Sequence, residues 1–145
     1  MGTVARIIEK KGSSVYSIDA ERSVLDAARL MNERRVGALV VVRGEKVVGI
    51  FTERDILNRV VAQQRDPADT KVADVMTSPV TCASPDATRA ECRHVMRTKR
   101  IRHLPVVDNE KLVGIVSIGD LVEDDAAAQQ QVIEHLYEYM NIEWK

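Results

Sequence analysis

The sequence predicts an α/β (α+β) fold of two similar halves, each strand–helix–strand–strand–helix, followed by a C-terminal helix. Three observations predict it. Residues 15–57 and 80–122 align without a gap at an offset of 65, with 12 of the 43 pairs identical. The identities cluster: Val41-Val42 answers Val106-Val107, Glu45-Lys46 answers Glu110-Lys111, and Val48-Gly49-Ile50 answers Val113-Gly114-Ile115. Each half also closes on Gly, two hydrophobic residues, Ser or Thr, two variable residues and Asp, running Gly49 to Thr52 and Asp55 in one and Gly114 to Ser117 and Asp120 in the other. A unit this short cannot bury its apolar surface alone, so the copies must pack face to face. Any cleft built by one copy then has a counterpart in the other.

Val15, Tyr16, Ser17 and Ile18 read as a short alternating strand. Ser23 with Asp26 opens the following helix as a capping box, and Thr88 with Glu91 does the same in the second copy. Val24, Ala27, Ala28 and Met31 recur at helical spacing on the first helix, while Ala90, Val95 and Met96 are less regular on the second. A β-branched run over 36–42 turns at Arg43-Gly44 into 46–51, and Leu104 to Val107 turns through Asp108-Asn109 into 111–116. A two-residue turn holding Gly or Asn between such runs signals a hairpin. Residues 53–62 and 118–125 are expected as closing helices, and 66–71 as a polar, proline-broken linker. Beyond the linker, Val72 to Met76 echoes Val4 to Ile8 at an offset of 68, so the repeat extends upstream. The divisions expected are 1–65, 66–125 and a tail helix over 126–145, whose Val132, Ile133, Leu136, Tyr137 and Met140 form one apolar stripe.

Composition narrows the function classes. Hydrophobic residues make up 45% and charged residues 30%, with no apolar run near the roughly 18–20 residues of a membrane span. The start of the chain lacks the apolar stretch of a secretory signal, so the compartment expected is the cytoplasm. A net charge of −1 offers no global field for nucleic acid. Cys82 and Cys92 have no second pair to make a zinc site or disulfide framework and are expected as buried small hydrophobes. His94 and His135 stand on helices without ligand partners, and Tyr137, Tyr139 and Trp144 are expected to serve packing.

The two motif endings, the stretch Val72, Asp74, Val75, Met76, Thr77, and the run from Lys99 through Arg102, His103, Leu104 and Pro105 to Asp108 resemble a tandem cystathionine-β-synthase-type (CBS) domain protein of the small stand-alone bacterial kind. The paired repeats are called a Bateman module. The resemblance implies two pseudo-symmetric βαββα repeats packed through their sheets, adenine nucleotide in two clefts, and a flat homodimer. It implies that Thr52, Asp55, Ser117 and Asp120 hold ribose and phosphate. Taken alone, each Ser/Thr-x-x-Asp is also an ordinary helix cap. A helix N-terminus does suit phosphate, and an Asp one turn on can accept from ribose hydroxyls.

The resemblance further places Arg102 and His103 over the cleft of Asp55, with Arg54 close by. The cleft of Asp120 would face Gly37 and Ala38 and lack such charge. Adenine would lie on apolar strand surface, its edge read near Ser17, Ile18, Thr81, Cys82 and Ala83, beside Leu104 and Pro105. The function expected is a non-enzymatic sensor of AMP, ADP, ATP or NAD(H), with AMP first among them, and with a downstream protein partner that the sequence does not name. The alternatives are a structural dimerisation module with vestigial clefts or, from another class, a nucleotide-processing enzyme. For the last, the sequence shows neither a phosphate-binding Gly-x-x-x-x-Gly-Lys loop nor converging acid–base groups.

Overall fold

A helix that the strand-and-helix pattern left unassigned opens the fold. In the computed structural model, which describes residues 2–12 and 15–126, α1 spans Val4–Lys11 and buries Val4, Ile7 and Ile8 at one-face spacing. It stops at Gly12, whose φ of 93° is left-handed and whose N–H reaches Ile8 O at 2.8 Å. The first half then runs β1 (Ser17–Asp19), α2 (Val24–Arg34), β2 (Ala38–Arg43), β3 (Lys46–Thr52) and α3 (Glu53–Asp55), which continues into π-helical Ile56–Val61. The second half runs α4 (Val72–Val75), α5 (Arg89–Lys99), β4 (His103–Asp108), β5 (Lys111–Ser117) and α6 (Ile118–Ala126).

These elements form the two βαββα repeats predicted. β1 lies parallel to β2, and β2 antiparallel to β3, giving the order β1-β2-β3. β2 is buried along its first four residues, as befits the central strand. In the second half β4 and β5 pair alone, and the counterpart of β1 shrinks to one parallel bridge, Ala83 to Val106, at the register that Ile18 to Val41 occupies in the first. Both hairpins carry a bulge at the same place, between Val41 and Val42 and between Val106 and Val107, with Gly49 and Gly114 opposite. The turns fall one residue later than the sequence predicts. Arg43 pairs with Lys46 and Asp108 with Lys111, so left-handed backbone occurs at Gly44 in one loop and at Asn109 and Glu110 in the other.

The caps are as expected: Ser23 Oγ accepts from Asp26 N–H, and Thr88 Oγ1 from Glu91 N–H, both at 3.1 Å. Both helices end on a left-handed arginine, Arg35 or Arg100. The first closing helix departs from expectation. Its bonds run five residues back, Ala62 N–H to Leu57 O at 2.9 Å. Arg59, on this wider turn, donates to Met76 O at 2.7 Å and Val75 O at 3.3 Å at the end of α4.

Two cores result, and each takes its upstream helix from across the chain. Val72 and Val75 of α4 pack with Ile18, Val24, Met31, Leu39 and Phe51 of the first half. Val4, Ile7 and Ile8 of α1 pack with Cys92, Met96, Leu104, Val116 and Leu121 of the second. Cys92 is therefore buried as expected, but Cys82 is exposed. Neighbours along an extended segment face opposite ways, and Ala83 takes the core side. The tail stripe, His135, and the terminal aromatics Tyr137, Tyr139 and Trp144 lie outside the described residues.

Candidate functional site

In the first half, β3 delivers Thr52 to the N-terminus of α3 in a complete capping box. Thr52 Oγ1 accepts from Asp55 N–H at 3.3 Å, and Thr52 N–H donates to Asp55 Oδ2 at 3.0 Å. The segment after α4 then closes over this end. Thr77 and Ile50 exchange backbone bonds of 2.9 and 3.1 Å, and Thr77 Oγ1 donates to Asp55 Oδ1 at 3.1 Å. Arg59 Nε stands 3.7 Å from the same oxygen. Asp55 is 6% exposed, and both of its oxygens are engaged inside the protein.

The second half repeats the cap with a different neighbour. Ser117 N–H donates to Asp120 Oδ2 at 2.8 Å, and Asp120 N–H donates to Ser117 Oγ at 3.1 Å. Where Thr77 stood in the first half, α1 sends Lys11, whose Nζ donates to Asp120 Oδ2 at 2.7 Å and to Ile115 O at 3.0 Å. The expectation that no cation reaches the Asp120 cleft is thus corrected: α1 belongs to the second core and carries Lys11 there. Burial alone would raise the Asp120 carboxyl, but the bonds from Lys11 and Ser117 outweigh it and hold the group below the usual carboxylate range. Its side chain keeps 18% exposure, and among the described residues Oδ1 has no hydrogen-bond partner.

His103 opens β4 directly opposite Ser117. Burial pushes its imidazole below the usual range; Asp120 and then Glu53 oppose this, while Lys11 and Arg102 reinforce it. His103 thus lies in the field of Asp120, its own half's carboxylate, and of Glu53 from the other half. Glu53 folds over Gly37, where a Cβ would stand 2.7 Å from Glu53 Oε1. The second half has Ile118 in place of Glu53 and accommodates Arg102 at the position of Gly37. Arg54 and Arg102 do come together, lining one cleft of about 370 Å³ with Arg93, Met96, Arg97, Arg100, Ile101 and Ile118.

The residues expected to read an adenine edge are not gathered with these. Cys82, Ala83 and Leu104 line a separate cleft of about 330 Å³ with Asp86 and Glu91. Ser17 lies in β1, Ala38 is buried opposite Thr52 on β2, and Pro105 O accepts from Ala83 N–H at 2.9 Å. Among the described residues no three His, Cys, Asp or Glu side chains are grouped to hold a metal ion, and no helix is long and apolar enough to cross a membrane.

Comparison with known proteins matches the CBS domain family over residues 4–62 and 72–126. The chain is similar to the mitochondrial CBS domain-containing protein CBSX3 of Arabidopsis thaliana, at 33% identity over 95% of this chain and 71% of that protein. It is 37% identical to the CBS domain-containing protein YhcV of Bacillus subtilis, over 75% of this chain and 77% of the relative. Among solved structures, a putative signal-transduction protein with CBS domains from Burkholderia ambifaria superposes with a TM-score of 0.85 at 42% identity, covering 88% of this chain and 96% of that one.

Proposed function

The chain belongs to the CBS domain family as a tandem pair of repeats, and from that premise we propose a non-enzymatic regulatory module that binds an adenine nucleotide (AMP, ADP, ATP or NAD(H)) and acts as a homodimer. Family membership supports a nucleotide-sensing role in general. The observation carrying the finer reading is the state of the two motif carboxylates. Among the described residues Asp120 retains one unpartnered oxygen and partial exposure, as a group must to accept ribose hydroxyls, while Asp55 is buried with both oxygens engaged. Asp120 and Ser117 therefore hold ribose in this reading. Lys11 and Arg102 supply charge toward phosphate, as charge-assisted bonds to phosphate are the strong ones. His103, whose imidazole burial keeps below the usual range, stands beside them as a neutral hydrogen-bonding group.

The homodimer rests on apolar residues at equivalent places on the closing helices. Leu57 and Val122, one repeat apart, are 60% and 61% exposed, and Val61 is 60% exposed. A second chain covering them would remove this surface from water.

A thermal-shift and calorimetry screen of AMP, ADP, ATP, NAD+, NADH and GTP tests the reading. A ligand at ~100 times its dissociation constant adds about 2.7 kcal/mol, worth roughly 5–10 °C in a chain of this size. Such a shift with an adenine nucleotide and little with GTP is expected. No shift with any of them leaves a dimerisation module with vestigial clefts.

A further inference from the structure

The cleft of about 370 Å³ is lined by five arginines, in a chain whose net charge is −1. Arg93 and Arg97 follow Arg89 at four-residue spacing on α5, Arg100 caps its end, Arg102 precedes β4, and Arg54 arrives from the first half. Among the described residues the guanidinium groups of Arg54, Arg97, Arg100 and Arg102 have no hydrogen-bond or ion-pair partner, whereas Arg93 is engaged in an interaction of its own. Like charges at four-residue spacing cost a helix stability, and among the described residues no ion pair or side-chain hydrogen bond offsets that cost at Arg97.

The other half provides an internal control. The positions equivalent to Arg93, Arg97, Arg100 and Arg102 are Ala28, Asn32, Arg35 and Gly37, and the position equivalent to Arg54 is Gly119. Four of these five positions carry no charge there and the βαββα unit still forms, so the charge at those four is not required by the fold.

We propose that this arginine cleft binds a chain of two or more linked phosphates. Guanidinium groups pair bidentately with phosphate, and one phosphate cannot engage four of them spread over a helix, its cap, a strand entrance and the opposite repeat. The volume falls within the roughly 300–1,000 Å³ of small-ligand clefts. Ile118 lies in its lining, between the Ser117 and Asp120 of the ribose reading. The phosphates can therefore belong to a nucleoside di- or triphosphate, an extension that rests on the nucleotide reading, or to an inorganic polyphosphate, which does not.

Calorimetry on the full chain with ATP, ADP, AMP and tripolyphosphate, at low salt and at roughly 0.5 M, separates these sources. ATP should bind about tenfold or more tighter than AMP at low salt, with the advantage shrinking at high salt. Arg97→Ala keeps a good helix former, and Arg100→Asn suits the left-handed backbone at that position. Each should weaken ATP and tripolyphosphate about tenfold and leave AMP within about twofold. Equal affinity for AMP and ATP, or variants that leave ATP and tripolyphosphate untouched, overturns the arginine site while sparing the nucleotide reading. Tripolyphosphate binding without any adenine nucleotide keeps the arginine site and overturns the nucleotide reading. An unstructured RNA that binds in a variant-sensitive way more tightly than tripolyphosphate overturns the linked-phosphate assignment.

Discussion

The two halves place the same four-residue motif at the same strand–helix junction and surround it differently. Asp55 is closed in by Thr77 and Arg59 and serves as an internal clamp between α3 and the segment after α4. Asp120 is met by Lys11 and its side chain stays partly exposed. The difference originates in the exchanged upstream helices, since α4 carries a threonine into one cap and α1 a lysine into the other. A duplicated motif is thus a duplicated scaffold, and its chemistry is set by whatever segment the other half lends it.

The largest contrast is expected in stability. Asp55→Ala leaves part-buried donors on Thr52 and Thr77 unpaired and should cost about 2–3 kcal/mol, roughly 5–10 °C in melting temperature. Asp120→Ala removes a partly exposed pair and should cost under about 1 kcal/mol. Equal losses in the two variants would erase the distinction between clamp and open site.

The strand glycines sharpen the comparison next. A Cβ on Gly49 would stand 2.8 Å from the backbone oxygen of Thr77 and 2.6 Å from Met76 Sδ, while one on Gly114 would meet the flexible end of Ile8 at 2.5 Å. Gly49→Ala should therefore cost about 1–2 kcal/mol and Gly114→Ala less, because a side-chain tip yields and a paired backbone does not. Denaturant melts of the two variants check the order.

Acid titration reads the Lys11–Asp120 pair. A carboxyl held below its unfolded value stabilises the fold above about pH 4 and loses that share as pH falls through its lowered folded value. The gap in melting temperature between wild type and Asp120→Asn should be flat from neutrality to about pH 5 and narrow toward about pH 3. His103 gives the smallest effect. Its burial-lowered value means that the unfolded chain takes up the proton first, so stability drops as pH falls below about 6.5. His103→Gln should remove that part of the slope.

Much of this architecture was legible in the sequence because it is local or repeated. The caps at Ser23 and Thr88, the hairpins and the buried faces of Met31 and Met96 all follow from spacing within one copy. The exchange of α1 and α4 was not legible, because it joins Lys11 to Asp120 across the whole chain and the upstream echo runs at 68 rather than 65. The burial of Asp55 was hidden for the same reason. Thr77 stands out in the sequence only as the end of the stretch that echoes Val4 to Ile8, and its bond to Asp55 appears once the chain folds it onto β3. The meeting of Arg54 with Arg102 was expected from the family resemblance, whereas Arg93, Arg97 and Arg100 join them only through the packing of α5, which no short-range pattern displays.

The most direct test of an Asp120-centred site is calorimetric titration of wild type, Asp55→Ala and Asp120→Ala with the best adenine nucleotide, alongside each protein's melt without ligand. The account predicts one tight site per chain. Asp120→Ala should weaken it roughly ten- to a hundredfold at nearly unchanged stability, and Asp55→Ala should retain it despite a lowered melting temperature. Two equal sites per chain, or binding lost in Asp55→Ala and kept in Asp120→Ala, would contradict it.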